Sequence, residues 1–407
     1  MKALVLCGGI PQIALIEDLK SRGIYVLLAD MNPKVVAREY ADEFFPVSVL
    51  DVDTVRDLAK REQVDFVITV CADQVLQVVA QVSEELGLPC YIDFDTAKKV
   101  SNKSYMKEVF IKKSIPTSKY VILDTLSKEA ISNLNYPIIV KPVDSYSSRG
   151  VKKVFSYEEL NLAFEEAVSI SRTNTAVVEE FFDGDELTVD VYIENGKAHI
   201  LCVSNIDKIG NSDKFVIHRT RHPANISNEV YLKVEEVVQR IADAFNLKNS
   251  PMLVQLIVNE ESISVVEFCA RTGGGDKFRL IKKISGFDVV KAVVDLTLGY
   301  YPHIDKIEKQ NKCVVDEFLY CKKGVLNRID GLPELMSAGI ISEYFILKEK
   351  GYVFDEIKSS GDRVAYFTVE DSEISSVREK LEIANERLRI YDCEGNDILR
   401  HDLINDF

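Results

Sequence analysis

MLVQLIVNEESISVVEFCARTGGGDKFR, running from Met252 to Arg279, is the stretch where an alternating apolar pattern, an acid, an amide, a lone arginine and a glycine run coincide. Its two apolar limbs read as a β-hairpin that enters a tight loop. Along the second limb Ile263, Val265, Glu267, Cys269 and Arg271 alternate with Ser264, Val266, Phe268 and Ala270, which predicts one functional face and one apolar face. A three-residue connection, Glu260 to Ser262, would set Gln255 opposite Glu267 and collect Gln255, Glu267, Cys269 and Arg271 on one side of a sheet. The plain alternative is a solvated face with an ion pair between Glu267 and Arg271. Oxygen ligands on a rigid hairpin, however, suit a hard cation such as Mg²⁺ held jointly with nucleotide phosphates. Arg271 then fits as the partner of a transferring phosphate.

The surrounding chain narrows the choice. At 407 residues it is long enough for two or three domains with ample cores. A formal charge of −15 disfavours nucleic acid or an anionic membrane as a partner, so any phosphate site is a local basic island. Eight cysteines, Cys7, Cys71, Cys90, Cys202, Cys269, Cys313, Cys321 and Cys393, lack CxxC spacing and mostly lie in apolar runs, as reduced thiols do. MKALVLCGG runs straight into a glycine turn with no signal-peptide pattern, and no apolar run reaches membrane-spanning length. The expected location is the cytoplasm.

The opening reads as a βαβ unit: Lys2 to Cys7, a helical pattern through Ile13, Ile16 and Leu19 that stops at Gly23, then Tyr25 to Ala29 with Asp30 at its end. Dinucleotide binding is the competing idea, but GGIPQ supplies no GxGxxG and places Pro11 where the helix should approach a phosphate. Strand-like runs at Phe66 to Val70 and Cys90 to Ile92, with a helix from Asp73 to Leu86 between them, would complete a small doubly wound domain. Thr96 to Lys113 reads as a helix with Lys103 near its start. Lys141 ends the strand Pro137 to Val140 and precedes the polar loop DSYSSRG, which closes at Gly150. A lysine beside such a loop can neutralise phosphates while backbone N–H groups wrap them, although GxxxxGK[ST] is absent. After the helix Tyr157 to Ser169, the strand Ala176 to Val178 runs into Glu179, Glu180, two phenylalanines and a DGD turn. That is a plausible adenine pocket with Glu186 beyond it for ribose; the alternative is an acidic hairpin corner. Asn205 to Asn225 carries Lys208, Lys214, His218, Arg219, Arg221 and His222, read either as a carboxylate-binding patch, with His218 and Arg221 on the substrate, or as a solvated loop. Gly273, Gly274 and Gly275 open a helix and offer N–H groups to an anion. CVVDEFLYCKKGVL, YFILKEKGYVF and RVAYFTVED read as strands of a closing α+β segment with a helix from Ile374 to Arg389.

In this order, YPIIVKP with its loop, VVEEFFDGDE and VQLIVNEESISVVEFCARTGGG resemble the ATP-grasp superfamily over about Thr96 to Tyr300. The flanking segments are similar to those of its carboxylase and amine-ligase branch, which includes biotin carboxylase, the carbamoyl phosphate synthetase large subunit, glycinamide ribonucleotide synthetase and the L-amino-acid ligases. EF.ARTGGG is most similar to the last of these. The resemblance implies an ATP-grasp fold, mixed α/β and α+β. It divides the chain into an N-terminal Rossmann-like domain over 1–95, an ATP-grasp domain over 96–307 with a small mobile subdomain at about 115–182, and a lid over 308–407.

It also implies ATP and Mg²⁺, with Mn²⁺ as a substitute. Lys103 and Lys141 would bind phosphates under the loop carrying Ser147, Ser148 and Gly150. Glu180 and the backbone of Phe181 would read adenine, and Glu186 the ribose. Gln255, Glu267 and Cys269 would occupy the metal positions, and Arg271 would stabilise an acyl phosphate, next to Gly274 and Gly275 at the substrate. Cys269 departs from the asparagine of most relatives, and a thiol is a soft, poor ligand for Mg²⁺. The function implied is an ATP-dependent ligase joining a small-molecule carboxylate to an amine, with amino-acid or dipeptide-like substrates, as a monomer or a homodimer. Bicarbonate activation and a silent ATP-binding protein are the alternatives.

Overall fold

The computed structural model describes the chain except residues 145–148, 210–214, 305–306, 308–311 and 405–407. Strands Lys2–Leu6, Tyr25–Ala29, Glu43–Phe45 and Phe66–Ile68 form a parallel sheet, with the first two strands at its centre. Both faces are covered, so its strands are apolar almost throughout. Ala3, Val5, Val26 and Leu28 pack towards the helix Ile10–Ser21, and Leu4, Leu6, Leu27 and Ala29 towards the helices Val52–Arg61 and Asp73–Leu86. Cys90 to Ile92, expected as a strand, is not one. Pro89 before it cannot donate to a ladder, and the fourth strand is instead Glu43–Phe45. The single helix expected from Thr96 to Lys113 is two, Phe94–Val100 and Lys103–Lys112, because the Asn102 side chain accepts from the Tyr105 N–H and starts a new helix. Lys103 is thereby the first residue of that helix, with Lys107 one turn along.

A small antiparallel sheet, ordered Tyr120–Leu123, Ala176–Glu180, Ile138–Pro142, Lys152–Val154, is backed by the helix Tyr157–Ile170. Gly150 turns the chain into its edge strand at φ +76°, where a Cβ would come within 2.8 Å of the Ile170 side chain.

The main sheet has eight antiparallel strands in the order Ser262–Cys269, Ser250–Asn259, Asp185–Glu194, Lys197–Lys208, Ile217–His222, Cys313–Leu319, Ala365–Asp371, Glu343–Ile346. The last three come from the closing segment of the chain, so its strands continue the same sheet. The helix Ile374–Arg387 covers them, and Arg389 already belongs to the next strand, Arg389–Asp392. No helix among the described residues is long and apolar enough to cross a membrane.

At the hairpin Gln255 pairs with Glu267, but by a different route from the one expected. The turn is two residues, Glu260 and Glu261, between paired Asn259 and Ser262, with Glu260 at φ +52°. That register alone would set Gln255 opposite Val266. The ladder slips between Gln255 and Leu256, leaving Val266 as an extra residue, and restores the pair. The slip also corrects the expected faces: Ile263 and Val265 belong to the core with Phe268 and Ala270, whereas Ser264 and Val266 border a cavity.

Candidate active site

Two cavities meet at the hairpin, and Gln255 and Glu267 line both. The first lies between the small sheet and the main sheet. Lys141, at the end of Ile138–Pro142, points at Glu179 across the ladder, Nζ to Oε1 2.5 Å, and Lys107 takes the other oxygen at 2.7 Å. All three groups are buried. Burial raises the carboxyl pKa of Glu179, yet the two ammonium groups outweigh it and hold the group at about 2. The triad carries a net positive charge at the floor of the cavity, where a phosphate chain is best placed. Lys103 reaches Glu267 at 3.0 Å. Burial lowers the pKa of that lysine, and Glu267 more than compensates.

The strand Ala176–Glu180 splits its two acids by face. Glu179 turns inward; Glu180 accepts from the Asn135 backbone N–H at 3.0 Å and its side-chain amide at 2.8 Å. The Phe181 N–H, expected to read an adenine edge, donates to the Pro137 carbonyl at 2.9 Å and is already spent. Phe181 and Phe182 still line the cavity, and Lys153 sits over the Phe181 ring. Glu186 also lines it and pairs with Lys208. Gly184 carries the chain past this point at φ +147°, where a Cβ would lie 2.2 Å from the Val258 carbonyl oxygen. Ser147 and Ser148 lie outside the described residues, as does Lys214.

Beyond the Gln255–Glu267 wall, the second cavity holds Arg271, Gly273, Gly274 and Gly275, and also Asp73, which sequence reasoning did not single out. Asp73 opens the helix Asp73–Leu86 against the parallel sheet, so its carboxylate is presented from a helix start. Arg271 grips it with two nitrogens, Nε to Oδ1 at 2.6 Å. Cys269 Sγ donates to the same oxygen at 2.5 Å. Burial first, then the Asp73 charge, push the Cys269 thiol well above its ordinary range. Cys269 therefore stands as a protonated donor to Asp73. Burial raises the Asp73 carboxyl, but Arg271 and Cys269 bring it below its ordinary value.

The basic stretch is also corrected. His218 is buried with its Nδ1 3.8 Å from Glu317, and Arg219 pairs with Glu317 at 2.5 Å. Arg221 is held by both oxygens of Asp207, at 2.7 and 2.8 Å. His218 and Arg221 border a cleft beside Glu186, outside the cavity of Arg271. Each cation faces a carboxylate on its own or the adjoining strand, which the sequence separates by up to about a hundred residues.

Residues 134–278 match the ATP-grasp domain. The whole fold agrees: the crystal structure of an L-amino acid ligase from Bacillus licheniformis superposes with a TM-score of 0.82 at 19% identity, covering 96% of this chain and 98% of that one. Among curated proteins, the carbamoyl phosphate synthase large chain of Clostridium acetobutylicum is 23% identical over 353 residues, 82% of this chain and 32% of its own length. Multifunctional protein pyr-3 of Neurospora crassa is 23% identical over 366 residues, 86% of this chain and 19% of its own length. The chain thus spans only a fraction of these relatives.

Proposed function

We propose that the protein is an ADP-forming ligase that activates a carboxylate as an acyl phosphate and passes it to an amine. The observation that carries this reading is the shared wall: Gln255 and Glu267 face a lysine-lined cavity on one side and the Arg271 cavity on the other. A carboxylate and a γ-phosphate repel, so their meeting point needs cationic screening. The wall stands where that meeting would occur.

ATP would lie in the first cavity with phosphates towards Lys141 and Lys103, and its base against Phe181 and Phe182. Gln255 and Glu267 fit Mg²⁺, being one amide and one carboxylate with hard oxygens that leave most of the shell to phosphate and water. When bound, the metal neutralises developing phosphate charge. Arg271, oriented by Asp73, stands ready for the acyl phosphate and for the oxyanion formed as the amine attacks. Amino-acid or dipeptide-like substrates are the class proposed.

The test is ADP and phosphate release from the purified protein with Mg-ATP across single amino acids, amino-acid pairs and bicarbonate. Release that needs one acid plus one amine, with the condensed product seen by mass spectrometry, supports the ligase. Release with bicarbonate and no amine points to a carboxylase-type reaction instead, and ATP binding without turnover to a silent binder.

A further inference from the structure

The second cavity, about 250 Å³, is lined by polar groups that the protein itself leaves unsatisfied. Thr188 Oγ1, Asp276 Oδ1 and Lys277 Nζ have no hydrogen-bond partner, and their residues are 3%, 4% and 7% exposed. Buried polar groups are nearly always paired, so three on one cavity describe a ligand by its complement. Asp276 has an ion-pair partner and lies beside the Tyr366 hydroxyl, so what these three atoms lack is a partner in hydrogen-bond geometry. Arg279 Nε approaches Asp276 Oδ1 at 3.1 Å without hydrogen-bond geometry and is engaged by Glu343 at 2.8 Å. Lys277 Nζ is 3.9 Å from Asp190.

The cavity wants both signs. Asp316, from the strand Cys313–Leu319, lines it too; one of its oxygens takes the Thr368 hydroxyl at 2.8 Å. Burial pushes the Asp276 carboxyl up to about 7, with the Asp316 charge adding to it, and burial raises Asp316 and Asp190 as well. The Asp316 charge bears on Asp276, and a bound cation between the two would relieve it. Asp276 and Asp316 reach the cavity from different elements and both offer acceptors, which an organic ammonium with directional N–H donors complements. Lys277 and Arg271 in the same cavity ask for an anion.

Resting on the ligase reading, we propose that this cavity selects a free α-amino acid as its zwitterion: the ammonium lies between Asp276 and Asp316, and the carboxylate to be activated lies between Lys277 and Arg271. The closing segment of the chain thereby supplies specificity through Asp316, while the ATP-grasp hairpin supplies chemistry.

The experiment is a thermal-shift titration of the full chain with each of the twenty free amino acids. Those that bind are compared with their des-amino acids and their carboxamides, in wild type and in Asp276→Asn, Asp316→Asn and Lys277→Gln. Mg-ATP binding to each variant reports an intact fold. At least one amino acid is expected to bind, and deleting either charge to weaken it about tenfold or more. In Asp276→Asn and Asp316→Asn the preference for the amino acid over its des-amino analogue disappears, and in Lys277→Gln the preference over the carboxamide disappears. Binding with this pattern but no phosphate release keeps the subsite and removes the ligase. Release with an acid lacking an ammonium, or no binding by any of the twenty, removes the subsite. If one variant loses ATP binding, the remaining two still decide, since each reads one charge.

Discussion

Arg271 and Asp73 join two parts of the chain that are far apart in sequence: the guanidinium at the end of the hairpin holds the carboxylate at the start of a helix on the parallel sheet, Nε to Oδ1 at 2.6 Å. Two parallel N–H···O bonds fix the plane of the guanidinium as well as its position. The helix Asp73–Leu86 therefore orients the residue expected to meet the acyl phosphate. Asp73→Asn keeps the shape and removes the charge. We expect kcat for phosphate release to fall roughly 10- to 100-fold, with ATP affinity within about threefold of wild type. Equal losses in both would make Asp73 a general stability residue instead.

Glu267→Gln removes the carboxylate from the shared wall, and Arg271→Ala removes the cation beyond it. Each should lower turnover by about a thousandfold or more with the fold intact by circular dichroism. Near-wild-type turnover in either variant would falsify the proposed mechanism.

The buried triad predicts an order of stabilities. Glu179→Gln leaves Lys107 and Lys141 facing each other without a countercharge and should cost about 4 kcal/mol, whereas Lys107→Met leaves the Lys141 pair intact and should cost roughly half as much. Urea denaturation of both variants reads the ranking; the reverse order would show that Glu179 is not what holds the lysines together.

The cysteines should differ sharply in reactivity. Cys393 is exposed, whereas Cys269 is protonated at neutral pH, because burial and Asp73 disfavour its thiolate. Maleimide labelling of the native protein at pH 7.5 followed by peptide mapping should find Cys393 modified first and Cys269 among the last. Early labelling of Cys269 would mean that Asp73 does not hold its proton.

Asp276 gives a pH signature. Its carboxyl is raised by burial to about 7 in the folded chain, against an ordinary value near 4. Between those values the folded protein keeps a proton that the unfolded chain releases. The stability this group contributes is complete below about pH 4 and is lost as pH rises through 7. Asp276→Asn should flatten that part of the stability profile and gain on wild type towards pH 8. A parallel displacement of the two profiles would rule out titration of Asp276 in this range.

Much of this was legible because it is local. The hairpin that carries Gln255 and Glu267, the strand that carries Lys141 and the helix Asp73–Leu86 follow from neighbours in sequence. The break at Asn102 was written in its capping side chain and overlooked, since the apolar spacing continues across it. Which of Glu179 and Glu180 faces inward depends on strand phase, and neither residue announces it. Asp73 was hidden for a different reason: an acid at a helix start has a sufficient local explanation, and its partners lie almost two hundred residues away. The pairing of Arg221 with Asp207 likewise needs the register of two strands before it can be seen.

The hairpin turn and the extra residue at Val266 behave like a mutation and its suppressor. Drawing Ser262 into a three-residue turn throws Gln255 out of step with Glu267, and so does drawing Val266 into the ladder, but the two changes together restore the partnership. Selection on this element would act on the length of chain between the two ligands rather than on either irregularity. Related hairpins can then distribute that length differently, and an alignment anchored on the turn would pair the wrong residues while one anchored on Gln255 and Glu267 would not.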